Sequence, residues 1–267
     1  MRAYLSVLRL RLINGLQYRA AALAGLATQF FWGFMLIMVY EAFYSQAARP
    51  QPIALRQLIT YIWLQQAFLV LIMFWLRDHE LFNLITSGDI AYELCRPCGL
   101  YGFWFAKLVA QRLSGALLRC FPLLAVAYLL PEPYKLTFPP DPAAFGLFIV
   151  ALLLGLVVVV AISMLIYISV FYTMSPAGSM LLFSVLGDFF AGSIIPIPLM
   201  PEWLQTIAYL LPFRLTADLP FRIYTGHIPC PEAVIGILSQ LVWATILIGC
   251  GRMVLKKALR RLVVQGG

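Results

Sequence analysis

Residues 142–187 read PAAFGLFIVALLLGLVVVVAISMLIYISVFYTMSPAGSMLLFSVLG, 46 residues without one charge. A helix crosses the hydrocarbon core with about 20 apolar residues, so this run is long enough for two crossings. Ser175-Pro176-Ala177-Gly178 divides it, because Pro and Gly interrupt a helix. Measuring outward between charges finds three more clean gaps. Residues 20–40 (21 residues), 57–76 (20 residues) and 233–251 (19 residues) are all uncharged. Across the whole chain of 267 residues, 63% are hydrophobic and 11% are charged. Mean hydropathy is +0.90. A water-soluble domain is roughly half apolar and about a quarter charged. A soluble chain of this length would leave too much of its apolar surface in water. The composition therefore excludes a soluble enzyme, a DNA-binding domain, a disordered chain and a disulfide-rich module, and leaves an integral membrane protein.

The stretch at about 100–130 is less clean, because Arg112 and Arg119 stand seven residues apart on one helical face. An Arg at the bilayer centre costs roughly 2.5–3.5 kcal/mol on insertion scales. The apolar remainder, LLRCFPLLAVAYLL, offsets one such charge, so the segment counts as a crossing with Arg119 facing protein or water. The reading is all-α, a single domain over 1–267 with six spans at about 20–42, 57–76, 108–130, 143–172, 177–195 and 233–252. A basic, Leu-rich interfacial helix precedes them at 1–19. The apolar stretch behind it is longer than a signal-peptide core of about 7–15 residues, despite the small-x-small Ser45-Gln46-Ala47.

Orientation follows from basic residues. With the N-terminus inside, 12 of the 19 Lys and Arg fall on the cytoplasmic side, 5 outside, and Arg112 and Arg119 lie in the third span. That ratio places both termini in the cytoplasm and the basic ends against anionic lipid rather than nucleic acid. The five cysteines cannot all pair within the chain. Cys95 and Cys98 form a C-x-x-C, but with only His79 and His227 as histidines a zinc site lacks partners. The spacing leaves a redox role open, and the reading favours unreactive thiols.

Two polar regions interrupt the pattern. The cytoplasmic segment 77–99 carries Arg77, Asp78, Glu80, Asp89, Glu93 and Arg96 beside Leu81, Phe82, Leu84, Ile85 and Ile90. Its reading is a short helix, a turn at Gly88 and a second short helix ending before Pro97. A charged, partly apolar helix of this size fits a groove on another protein; the alternative is a solvated connector. The external segment 196–231 is apolar yet punctuated by Pro196, Pro198, Pro201, Pro212, Pro220, Pro229 and Pro231. An unbroken helix is excluded there. It reads either as a re-entrant hairpin buried against protein or as an interfacial loop with Trp203 and Tyr209 as belt aromatics. Asp188 is the one acidic residue deep in an expected span, and the other aspartates (78, 89, 141, 218) fall in loops. An intramembrane carboxylate is a functional candidate, here either paired with an Arg such as Arg119 or marking a polar lining. The chain has no G-x-x-x-x-G-K-[ST], no H-E-x-x-H and no G-x-S-x-G, so it does not cradle ATP phosphates itself and is not expected to be an enzyme alone.

With these residues in place the chain resembles the permease subunit of an ABC-2 type exporter. The stretch SGDIAYELCRP (87–97) is similar to a signature of one branch of these permeases. The stretch FFAGSIIPIPLMPEWLQTIAYLLPFRLTADLPFRIYTG (189–226) resembles that branch's second pattern, with Gly192, Pro196, Pro201, Pro212, Phe213, Pro220 and Gly226 in register. The resemblance implies two permease subunits, identical or related, above two separate ABC ATPase subunits that bind ATP and Mg, with no cofactor on this chain. It implies a coupling helix at 77–97, with Asp78, Glu80, Leu81, Phe82, Asp89, Glu93 and Arg96 at the ATPase. It implies an outer gate built on Gly192, Pro196, Pro201, Pro212 and Phe213, and a bacterial cytoplasmic membrane as the setting. Asp188, Phe189 and Arg119 are path candidates by position alone. The cargo stays open among lipid, antibiotic, peptide and glycan. A competing class is a self-sufficient secondary transporter or channel, which calls for broken spans in matching halves and paired intramembrane charges.

Overall fold

The structure, a computed structural model, describes residues 6, 7, 9, 10, 13, 19–95, 97–173 and 176–260. The expected interfacial helix at 1–19 lies largely outside the described residues. Every regular element among the described residues is helical, with no strand. Helix α1 is Arg19–Ser45, α2 Leu55–Ala67, α3 Leu69–Ile72, α4 His79–Thr86, α5 Ile90–Leu94 and α6 Leu100–Leu129. Then come α7 Pro142–Thr173, α8 Pro176–Phe190, α9 Glu202–Leu210, α10 Asp218–Tyr224 and α11 Cys230–Leu259, with 3-10 turns at Ile197–Leu199 and Phe213–Leu215.

Among the described residues four helices are long and apolar enough to cross a bilayer by length and composition: Ala24–Ser45, Leu100–Leu129, Pro142–Thr173 and Cys230–Leu259. The charge gaps predict six crossings, and neither of the other two expected spans is a single long helix. In the second, α2 passes through an irregular Phe68 into α3, and the chain turns extended at Met73 (φ −63°, ψ 140°). In the fifth, α8 stops at Phe190, short of the expected 195. The reason there is local, because Gly192 adopts φ +78° and Pro196 follows. The reason at Met73 lies elsewhere in the fold.

Helix α7 is the central post. It packs on α11, α10, α8, α6, α4 and α3, and its Val158, Val159, Val160 and Ala161 are fully buried in succession. From Gly155 to Val170 no residue of it is exposed, and a helix buried all round is expected to be apolar on every face, as this stretch is. The other long helices bury only one side. Exposed Phe31, Trp32, Phe121, Leu129 and Leu241 lie along their outer faces, as a lipid solvent allows.

Candidate functional site

Three places gather the polar residues. The first is the elbow, α4 and α5 with the turn between them. Asp78 caps α4, its Oδ1 accepting from the Leu81 N–H at 3.2 Å. The Asp78 N–H in turn donates to the Tyr167 hydroxyl of α7 at 2.7 Å. Lys107 of α6 lies 3.5 Å from Asp78 Oδ2 and 2.8 Å from Glu80 Oε2. Leu81, Phe82, Ile85 and Ile90 are buried below, with the Phe82 ring 4.4 Å from that of Tyr167. Each such side chain is worth about 1.5–3 kcal/mol when removed from water. An ion pair with one partner open to solvent, as Glu80 is, contributes about 0–1 kcal/mol. Apolar burial therefore seats the elbow, and charge aligns it.

This geometry divides the expected docking set by facing. Asp78, Leu81, Phe82 and Glu93 point into the protein and are all nearly inaccessible, so in this structure they shape the elbow from within. Glu80 and Asp89 are exposed. Asp89 accepts from the Ser87 hydroxyl at 2.7 Å, beside Gly88 at φ +83°. Arg96 lies outside the described residues. Sequence reasoning missed Tyr92 and Leu94, which are 75% and 46% exposed. The signal for Tyr92 was available, since it lies on the side of the short helix opposite to Ile90, whereas Leu94 shares the side of Ile90 and owes its exposure to its place at the helix end.

The second place is the end of the second crossing. Arg112 of α6, 1% exposed, donates from Nη1 to the carbonyls of Met73 (2.7 Å), Leu71 (3.3 Å) and Val70 (3.4 Å), and from Nη2 to the Ser163 hydroxyl of α7 (3.0 Å). Asp188 of α8 accepts the Phe74 N–H at 3.3 Å. The break thus has a cation on its carbonyls and a carboxylate on its first free amide, which satisfies the backbone where no water is at hand. Arg112, not Arg119, is the basic residue whose charge acts on Asp188. Arg119 instead lies half-buried against Gly25 of α1. Asp188 makes no ion pair with Arg119 among the described residues, because the two arginines of α6 point to different neighbours.

The third place is the segment from Ala191 to Pro229, which folds back among α2, α7 and α11. Tyr61 donates to the Gly192 carbonyl at 3.0 Å, and Gln65 donates to the Ser193 carbonyl. A Cβ on Gly192 would sit 2.7 Å from the Tyr61 hydroxyl. Pro196, Pro201 and Pro212 each stand immediately before a helical turn, where a missing N–H costs nothing. Phe213 reaches the Phe74 ring at 5.6 Å. The Phe213–Leu215 turn lies beside Gly155, near the middle of α7. Its Leu215 carbonyl accepts from fully buried Gln240 of α11 at 2.8 Å, and the same amide reaches the Ala151 carbonyl at 2.8 Å. Phe189 and Phe190 pack on Ile197 and Met200 and so support this segment. Asp218, expected in a loop, is fully buried in α10 and pairs with Arg222 at 3.1 Å. Among the described residues no group of three or more His, Cys, Asp or Glu could hold a metal ion.

A comparison with curated proteins found no match. Residues 30–266, which include all three places, match the model of a family described as ABC-2 family transporter protein. The chain belongs to the ABC-2 transporter family and is a multi-pass membrane transport component.

Proposed function

We propose that this chain is the permease subunit of an ATP-driven exporter, working with a separate ATPase subunit that docks on the elbow. The observation that carries the reading is the elbow's two-sided construction. Its inner face is fastened to α6 and α7 through Lys107 and Tyr167, and its outer face presents Glu80, Asp89, Tyr92 and Leu94. A solvated connector needs neither the buried anchor nor the exposed aromatic. ATP and Mg then belong to the partner. The closed ATPase pair shifts the permease by binding one of its states more tightly. Two permease subunits, identical or related, flank the path, and the segment 191–229 forms its outer gate, with Gly192, Pro196, Pro201, Pro212 and Phe213 in that role. Asp188, Phe189 and Arg119 remain path candidates. The setting is a bacterial cytoplasmic membrane with both termini inside, and the cargo class includes lipids, antibiotics and peptides.

Co-purification from the native membrane tests the proposal. An ATPase chain is expected to come down with the wild-type protein and to be lost in Asp89→Arg combined with Tyr92→Ala, while Trp203→Ala leaves it bound. Capture that survives the double change refutes docking at the elbow. Labelling of Cys95, which is exposed, by an impermeant reagent in intact cells would refute the orientation. Transport in sealed vesicles driven by an ion gradient without ATP would favour a secondary transporter.

A further inference from the structure

Between the segment 191–229 and the first turns of α11 lies a cavity of about 210 Å³ that none of these roles uses. Tyr209, Arg214, Arg222, Glu232 and Ser239 line it. Arg222 is 8% exposed, and its Nη1 is committed to Asp218 Oδ2 at 3.1 Å and the Tyr209 hydroxyl at 3.0 Å. Arg214 stacks over the Tyr209 ring at 4.3 Å. The Nε atoms of both arginines are buried and have no hydrogen-bond partner among the described residues. Asp218 is committed to Arg222, so Arg214, stacked on Tyr209, has no ion pair of its own among the described residues, and both guanidiniums keep an unmatched donor. A buried charged donor left unmade is costly, and such pockets are completed by an oxyanion, because planar guanidinium matches phosphate geometry.

The position defines the ligand further. Glu232 is exposed in the first turn of α11, and Ser239 lies about two turns deeper along the same helix. Around the mouth, Ile235 and Leu238 are 65% and 56% exposed. The cavity is smaller than the roughly 300–1,000 Å³ of sites that engulf a drug-sized ligand. It holds a headgroup and leaves chains outside. We propose that it binds the headgroup of an ethanolamine phospholipid. The phosphate oxygens accept from Arg214 and Arg222, the ammonium lies toward Glu232, and the acyl chains run over Ile235 and Leu238. The proposal needs the membrane setting but not the ATPase partner, so it stands or falls separately from the exporter reading.

The test is thermal unfolding of the purified full chain, with any partner that co-purifies, in detergent. The probes are dioleoylphosphatidylethanolamine, dioleoylphosphatidylglycerol and inorganic phosphate. The ethanolamine lipid is expected to raise Tm at about tenfold lower concentration than the glycerol lipid, which corresponds to about 1.4 kcal/mol for the ammonium–Glu232 pair. Millimolar phosphate alone is expected to do nothing. Arg214→Gln should abolish the response to both lipids, with Asp218 still paired to Arg222, and Glu232→Gln should erase the preference between them. Equal response of the wild-type chain to both lipids, or full response of Arg214→Gln, overturns the proposal. A shift from inorganic phosphate alone overturns the lipid assignment and leaves a soluble-anion site. Native mass spectrometry of the wild-type chain needs no variant: retained ethanolamine phospholipid supports the assignment, and retention of only other lipids overturns it.

Discussion

Arg112 Nη1 lies 2.7 Å from the carbonyl oxygen of Met73, so a cation from α6 closes the end of the helix formed by α2 and α3. The final carbonyls of a helix carry partial negative charge and lack partners within the helix. One guanidinium with several donors in a fixed fork meets three of them and a hydroxyl besides. Arg112→Leu strands these acceptors, each at about 1–3 kcal/mol. A loss of about 3 kcal/mol or more is expected in unfolding of the detergent-purified chain. Arg112→Lys keeps the charge but not the fork, so it falls between the two. Wild-type stability in the Leu variant would show that the carbonyls find other partners.

Gly192 and Tyr61 are coupled through space. At φ +78° any other residue is strained by about 1–2 kcal/mol, and a Cβ would also press on the Tyr61 hydroxyl. Gly192→Ala is therefore expected to destabilise by more than the backbone term alone. Adding Tyr61→Phe should recover the steric part, less the hydrogen bond that the hydroxyl donates to the Gly192 carbonyl. A double-mutant cycle measures this coupling, and strictly additive losses would contradict it.

At the elbow the two acidic partners of Lys107 are unequal. Asp78 is buried while Glu80 is open to water. Lys107→Met leaves a buried carboxylate without its cation, a change of about 3–5 kcal/mol for buried pairs. Glu80→Gln should cost less than about 1 kcal/mol. Amide hydrogen exchange across 79–94 reports the difference. It should rise by about a hundredfold or more in the first variant, since each 1.4 kcal/mol is tenfold, and change little in the second.

Gln240 is buried and ties the Leu215 and Ala151 carbonyls together. Gln240→Leu has a similar size but no donor, so it should loosen the 3-10 turn while leaving α11 helical. The expected readout is faster proteolysis within 205–225 at unchanged circular dichroism. An unchanged cleavage pattern would show that packing alone holds the turn.

How much of this was legible in the sequence differs by residue. The long helices follow from charge spacing and the turn at Gly88 from its Gly, because both signals are local, whereas the turn at Gly192 fell inside the expected span 177–195. The break at Met73 was not legible, since 57–76 contains neither Gly nor Pro. Its cause lies in Arg112 and Asp188, which are distant in sequence. Asp218 read as a loop residue because the prolines around it predict surface, whereas the segment turns inward and Arg222 neutralises it. On the elbow, Asp78 and Glu93 read like docking charges beside Asp89. Charge content does not reveal facing, and the anchor for Asp78, Lys107, sits in the following helix.

The fastening of the elbow has a mechanical corollary. Because Tyr167 and Lys107 clamp it to α7 and α6, a load applied at Asp89 or Tyr92 is not absorbed by bending of a slack connector. It travels as displacement of two long rods, and α7 carries it to Gly155, against which the innermost turn of the opposite half of the molecule rests.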